Sequence, residues 1–308
     1  MGTTKAVLII GGSGFIGTHL ALKLREGYKV FATYHSRPMS IPGVTFLPLN
    51  VSNQNWAKRI AYTAQPEVVI YVAGSNNTEF AESRPREAER IHAGGPATVS
   101  NASEIFQSKF IYLSNCYVFD GHRGNYRESD TVLPSISLGK AKLSGENYVR
   151  GRSLNYLIVR SSPVYGRGNG WRLSFLDHLR MLLDRKQRIE FGGTELHSYA
   201  PISGLAELLA RLVESGPRNK TFHYGGLTKI SAYEFARNFA KRFAYNPELI
   251  LQSGQIQKNE AGPRKTINEN TPPDFSLNCS QVTETLKIKP LLLEEGFDLL
   301  KKELIPSF

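Results

Sequence analysis

Cysteine is nearly absent from this chain. Cys116 and Cys279 are the only two in 308 residues, and their separation fits neither a metal-ligand spacing nor a disulfide framework. No apolar run approaches the roughly 20 residues that span a bilayer. Ala6 already opens a structural run, so no signal peptide is expected ahead of it. A cytoplasmic protein with no membrane contact is the expectation. Acidic residues are also short, 27 against 38 Lys and Arg, for a net charge of +11. The basic residues are scattered, with no long basic run and no interleaved aromatic platform, so no nucleic-acid partner is expected. A positive excess suits phosphorylated small ligands instead. There is no internal repeat and no low-complexity stretch.

What is present starts at residues 6 to 17, AVLIIGGSGFIG. Ala6 to Ile10 is a short, wholly apolar run of the kind that forms a buried parallel strand. Phe15, Leu20, Leu22 and Leu24 then give a helical pattern. Between them, Gly11, Gly14 and Gly17 sit where strand becomes helix. Gly11 allows the tight turn, Gly14 lets a pyrophosphate approach the backbone, and Gly17 lets helix and strand pack closely. The helix start offers unpaired N–H groups and a positive dipole end. Gly11, Ser13, Gly14, Phe15, Ile16 and Gly17 are therefore the candidate phosphate cradle of a dinucleotide.

Strands are expected at 28–34, 44–47, 67–73, 109–113 and 154–160. Helices are expected at 15–26, 53–64, about 79–107 and 138–151. This alternation means β–α–β units and an α/β, doubly wound parallel sheet of the Rossmann type. After about residue 165 the rhythm changes. Helices at 171–185, 203–215 and 231–243, a strand at 189–191 and a polar loop at 258–276 describe a smaller mixed lobe. The expected division is 1–165 for the nucleotide-binding domain and 166–308 for a substrate-binding lobe, with about 190–215 returning to the first.

The end of the second strand selects the nucleotide. A carboxylate there would hold a ribose 2′-hydroxyl and repel a 2′-phosphate. This chain has Thr33, Tyr34, His35, Ser36 and Arg37 and no acid. Arg37 can grip a phosphate with its forked donors, and Ser36 adds a hydroxyl. NADP(H) is preferred, with NAD(H) possible. Asn50 and Val51 fall where adenine would lie. Ala73, Gly74 and Ser75 fall near the pyrophosphate and ribose.

The chain also resembles a known family. GGSGFIG at 11–17, LSNCYVFDG at 113–121, YRESD at 126–130, GKAKLSGE at 139–146, VRSSPVYGRG at 159–168, YEFA at 233–236 and PPDFSLNCSQV at 272–282 are similar to the extended short-chain dehydrogenases/reductases that act on nucleotide sugars. Within them the chain most resembles the dTDP-4-dehydrorhamnose reductase branch, which includes the regulatory β subunit of methionine adenosyltransferase. The resemblance implies a 4-keto nucleotide-sugar reductase or epimerase, with the helix at 138–151 as a dimer face.

The family's catalytic set is a Ser or Thr after the fifth strand and a Tyr-x-x-x-Lys pair on the next helix. Lys142 matches. Leu138 stands where the Tyr should be, and Asn115 where the Ser or Thr should be. Reducing a ketone needs a hydride and a proton, and a Tyr serves as the acid only when a neighbouring ammonium lowers its pKa. Leu138 supplies no proton. The resemblance leaves Lys142 the role of binding the nicotinamide ribose, and Asn115 can still donate to a carbonyl oxygen in substrate. Cys116, Tyr117, His122, Tyr126 and Tyr165 are the nearby alternatives for the acid, each with a packing explanation. His92 replaces an Asn usual in the family. Arg167, in a glycine-rich loop past a strand end, is the candidate substrate-phosphate residue, ahead of Arg172, Lys186, Arg188, Arg264 and Lys265. Two functions follow: an oxidoreductase with a rearranged acid–base set, or a catalytically inactive NADP(H)-binding regulatory or sensor subunit. The latter would work with a protein partner.

Overall fold

The structure, a computed structural model, describes residues 4–170, 173–192, 194–214, 217–253 and 273–302. Its centre is one seven-stranded sheet in which every pairing is parallel. The strands are β1 (Ala6–Ile10), β2 (Lys29–Tyr34), β3 (Val44–Pro48), β4 (Val68–Tyr71), β5 (Lys109–Asn115), β6 (Tyr156–Ser161) and β7 (Lys220–Tyr224). Their spatial order is β7-β6-β5-β4-β1-β2-β3. The chain winds outward from β1 through β2 to β3, then returns to β4 on the other side of β1. That reversal opens a crevice at the carboxyl ends of β1 and β4, where ligands of such sheets bind.

The residues of β1 and β4 are buried almost without exception, as strands covered on both faces require. One face carries α1 (Phe15–Leu24) and, far along the chain, the helix Ile202–Glu214, whose apolar stripe packs on α1. The other carries α2 (Gln54–Ala64), α3 (Gly95–Ser103) and α4 (Ser137–Arg152). Numbered in order, Phe175–Asp184 is α5, Ile202–Glu214 α6, Ala232–Arg242 α7 and Leu293–Lys302 α8. A third apolar cluster of Leu176, Leu179, Phe235, Phe239 and Phe297 is built from α5, α7 and α8 with Tyr165, and forms the core of a smaller lobe. Ser174 and Ser231 each close a capping box at the start of α5 and α7.

Two sequence expectations change. The single helix at 79–107 is a broken run. It comprises Thr78–Ser83, Pro85–Glu89, a π turn at Arg90–Gly94, α3, and a 3₁₀ turn at Glu104–Phe106. Pro85 lacks the N–H to continue the first helix and instead starts the second. The strand Lys220–Tyr224 was not expected from its sequence, KTFHY, yet it forms the sheet edge beside β6. Most of the polar loop expected at 258–276 lies outside the described residues; there the Pro273 carbonyl accepts from the Leu196 N–H, and the Phe275 N–H donates to the Leu196 carbonyl. Among the described residues no helix is long and apolar enough to cross a membrane. No cluster of potential metal ligands forms among them either.

Candidate functional site

A cavity of about 470 Å³ occupies the crevice above β1. Gly11, Ser13 and Gly14 form its floor, followed on one side by Ser36 and Arg37 and on the other by Ala73, Gly74 and Ser75. Asn50 and Val51, after β3, complete this part of the lining. These ten residues, all expected from the sequence, share one groove. Phe15, Ile16 and Gly17 belong to the first turn of α1, below that lining.

The glycines differ in what they permit. Gly11 has φ +87°, in the left-handed region, and an added Cβ would lie 2.6 Å from the Ala73 Cα. A Cβ on Gly17 would lie 2.2 Å from the Gly11 carbonyl oxygen. A Cβ on Gly14 would meet only that same oxygen, at 3.2 Å, with the rest of its surroundings open toward the groove. Gly14 is also the N-cap of α1 and brings no side chain to the first-turn N–H groups. The residues therefore fit a pyrophosphate: a bare helix start, with room for an anion where a methyl would stand. Gly17→Ala is accordingly expected to destabilise the fold by about 2–4 kcal/mol, since backbone must move. Gly14→Ala should keep the melting temperature within a few degrees while weakening dinucleotide binding at least about tenfold. Thermal unfolding beside NADPH titration checks the pair, and equal thermal losses in both would contradict it.

The wall that sequence reasoning missed comes from the broken helix. Phe80, Glu87, Arg90 and Ile91 line the cavity, as do Pro38 and Met39 on the β2 side. Helical periodicity shows that a face is apolar but not which cavity it borders, so no signal in the sequence marked these residues. The next residue of the π turn, His92, points inward and is buried. Its Nε2–H donates to the Ser75 carbonyl at 3.0 Å, and its ring lies directly behind Gly74. Burial, with Lys142 nearby, holds its pKa well below the usual histidine value, so the ring is neutral.

Around the catalytic positions of the resembled family the geometry differs. Leu138 is fully buried and belongs to the hydrophobic core. Lys142, on the same helix, donates from Nζ to the Leu113 carbonyl at 2.8 Å and sits over the Tyr112 ring. Burial pushes its pKa down to about 7, against the opposing pull of Glu146. The Asn115 side chain is engaged locally. Its Oδ1 accepts from the Tyr117 backbone N–H at 3.1 Å, capping the turn Cys116–Val118, and its Nδ2 faces Asn76 Oδ1 at 3.4 Å. Asn115, Leu138 and Lys142 lie outside the cavity's lining. Arg167 also lies outside it; the Arg167 carbonyl accepts from His19 Nε2 at 2.9 Å, and its loop neighbour Asn169 bonds Thr18 Oγ1 and the Ser13 carbonyl. Arg172 and the pair Arg264 and Lys265 lie outside the described residues.

The alternative acids separate clearly. Cys116 is fully buried and burial raises its thiol, so it stays protonated. Tyr126 donates to Asp120, stacks on Phe119 and is raised by burial. Tyr165 sits in the core of the smaller lobe, and His122 is exposed. Tyr117 differs. Its hydroxyl lies 3.5 Å from His197 Nε2, which lies 3.5 Å from Glu195.

Beside these positions runs a buried ion pair. Arg160 Nε and Nη2 donate to the two Glu146 oxygens at 2.9 and 2.8 Å, and Arg150 adds a third bond at 2.9 Å. Arg160 also covers the Phe119 ring and reaches His223 Nε2. His223 donates from Nδ1 to the Tyr126 carbonyl, and burial with the Arg160 charge brings its pKa to about 3. The network ties β6, β7 and α4 to the segment that follows β5.

A parallel sheet of order 3-2-1-4-5-6-7 with a glycine cradle at its switch point defines a Rossmann-type nucleotide-binding protein of the extended short-chain dehydrogenase/reductase class. The chain belongs to the RmlD substrate binding domain family, whose model matches residues 5–302. It is 26% identical over 273 residues to a dTDP-4-dehydrorhamnose reductase of Mycobacterium tuberculosis, covering 87% of this chain and 85% of that one. It is equally 26% identical over 296 residues to the methionine adenosyltransferase 2 subunit beta of Bos taurus, covering 92% and 83%. Among solved structures, a dTDP-4-dehydrorhamnose reductase from Bacillus anthracis in complex with NADP superposes with a TM-score of 0.80 at 22% identity, over 97% of this chain and 99% of that one.

Proposed function

We propose that this chain binds NADP(H) in the groove above β1 and does not use a Tyr–Lys pair to reduce a sugar. Bound, the dinucleotide would supply hydride chemistry. The chain's own residues bind and orient it: the α1 start at Gly14 takes the pyrophosphate, Ser36 and Arg37 take the 2′-phosphate, and Asn50 and Val51 border the adenine. The observation that carries this reading is the contrast between the two halves of the site. The adenosine half is an open groove lined by polar and small residues. At the reacting half, Leu138 is core and the Lys142 amine is committed to a backbone carbonyl. A regulatory or sensor role, in which the dinucleotide state alters affinity for a protein partner, follows from binding without proton delivery.

One cluster favours a second reading, an oxidoreductase on 4-keto nucleotide sugars. Tyr117, His197 and Glu195 form a chain of polar groups from the turn after Asn115 toward the surface. Such a chain could return a proton to Tyr117 after each turnover.

Single-turnover oxidation of bound NADPH, followed at 340 nm on adding a 4-keto nucleotide sugar, separates the readings. The unmodified protein is expected to be silent on the minute scale. Losing a general acid typically costs about 10²- to 10⁴-fold. Leu138→Tyr is expected to raise the rate if the sugar still binds. Rapid oxidation by the unmodified chain, abolished in Tyr117→Phe, would establish the second reading instead.

A further inference from the structure

The inference rests on the NADP(H) reading and deepens it. We infer that Arg90 is a second cation for the 2′-phosphate, facing Arg37 across the groove, and that the two together set the preference for a 2′-phosphorylated dinucleotide.

Arg37 and Arg90 line the same cavity. Arg37 follows β2, and Arg90 lies in the connection that leaves β4. In the sheet β2 and β4 flank β1 on opposite sides, so the segments that carry Arg37 and Arg90 reach the shared cavity from opposite sides of β1.

The local charge leaves Arg90 available. Among the described residues Glu87 is the one carboxylate in the cavity's lining, and Arg84 Nη1 lies 3.6 Å from it. Glu87 thus has a cation on its own helical run. No acid lies at the β2 end, where Ser36 and His35 accompany Arg37. A site with two arginines and one engaged glutamate favours a dianion over a ribose hydroxyl.

The backbone explains why Arg90 faces the ligand. It opens the π turn Arg90–Gly94, a rare helical form that recurs at functional sites. Arg90 and Ile91 border the groove, while His92 turns under Gly74. Arg90 itself is solvent-exposed, so its replacement leaves the core intact.

The test titrates the full chain and its Arg90→Gln and Arg37→Gln variants with NADPH, NADH, 2′,5′-ADP and 5′-AMP by calorimetry. The unmodified chain is expected to bind NADPH more tightly than NADH. Arg90→Gln should lose about tenfold or more for NADPH and 2′,5′-ADP, the scale of a charge-assisted hydrogen bond. It should change less than about twofold for NADH and 5′-AMP, since no phosphate contact at the 2′ position is lost. Equal losses on all four ligands would make Arg90 an adenine-stacking residue and overturn the inference. So would unchanged NADPH affinity in a variant whose parent binds NADPH well. If the unmodified chain binds none of the four, the NADP(H) reading itself has failed and the inference falls with it.

Discussion

Arg160→Met is expected to lower the free energy of unfolding by about 3–5 kcal/mol at neutral pH, among the largest single effects in the chain. The Glu146 side chain is 0% exposed, and Arg160 gives it two of its three arginine hydrogen bonds. Removing Arg160 strands a carboxylate inside the protein with the partly exposed Arg150 as its remaining arginine. His223 loses its donor at Nε2, and Phe119 loses the cation on its face. Burial alone would raise the Glu146 pKa, but in the intact protein the hydrogen bonds and charge of Arg160, together with Ser114 and Arg150, outweigh it and hold the carboxyl below its usual range. A depressed folded-state pKa means that the pair contributes stability above the unfolded value of about 4.3, lost as pH falls through the folded value. In Arg160→Met the sign reverses. Burial then dominates, the carboxyl titrates above its unfolded value, and the deficit shrinks as the pH is lowered through that range. Urea denaturation at pH 7 and pH 4 reads both effects. Adding Glu146→Leu to Arg160→Met should recover much of the loss, because the stranded charge is gone. A double variant as unstable as the single one would show that shape, not charge, dominates this site.

The second large effect concerns Lys142 and is measured without ligand. Its amine faces the Leu113 carbonyl and the Tyr112 ring, with Glu146 on its own helix and the neutral His92 on the π turn. Tyr112 is held well above the usual tyrosine value by burial and stays protonated. The folded-state pKa of Lys142 is about 7, while the unfolded value is near 10.4. Between those values the unfolded chain binds one more proton than the folded one, so this residue makes stability rise with pH, by up to about 1.4 kcal/mol per pH unit. Lys142→Met, similar in length and uncharged, removes the contribution. The variant is expected to match or exceed the parent at pH 7 and to lose its advantage progressively toward pH 10. Parallel stability–pH curves for the two proteins would rule out a buried, readily neutralised amine.

The sequence is most informative where structure is local. The glycine turn and the strand before it are legible because a tight turn, a close helix approach and an anion cradle each demand glycine at a fixed spacing. The four central strands are legible because they are covered on both faces and so read as apolar runs. β7 escaped because its buried His223 is polar in the sequence and becomes acceptable only beside Arg160 and the Tyr126 carbonyl, which lie far away along the chain. The long helix at 79–107 hid its interruptions because proline and a π turn alter phase without altering composition. At the reacting half of the site, the substitutions Leu138 and Asn115 were visible in the letters. That Asn115 serves as a turn cap, and that Lys142 leans on Leu113, depends on which strand end meets which helix, and no pattern of residue types encodes that.

The π turn at Arg90–Gly94 has a wider meaning. An α-helix advances about 100° per residue, so one inserted residue rotates everything beyond it by that angle. Up to and including the start of the turn, Glu87, Arg90 and Ile91 line the groove; downstream, Val99 and Ala102 face the hydrophobic core. The extra residue works like a clutch between two gears. It lets one helical run present a ligand-facing side before the turn and a core-facing side after it, neither compromised by the other's phase. Mutations upstream can therefore retune the ligand wall while the core beneath α3 stays as it is. Deleting one residue of the turn would instead couple the two and swing the arginine out of the groove.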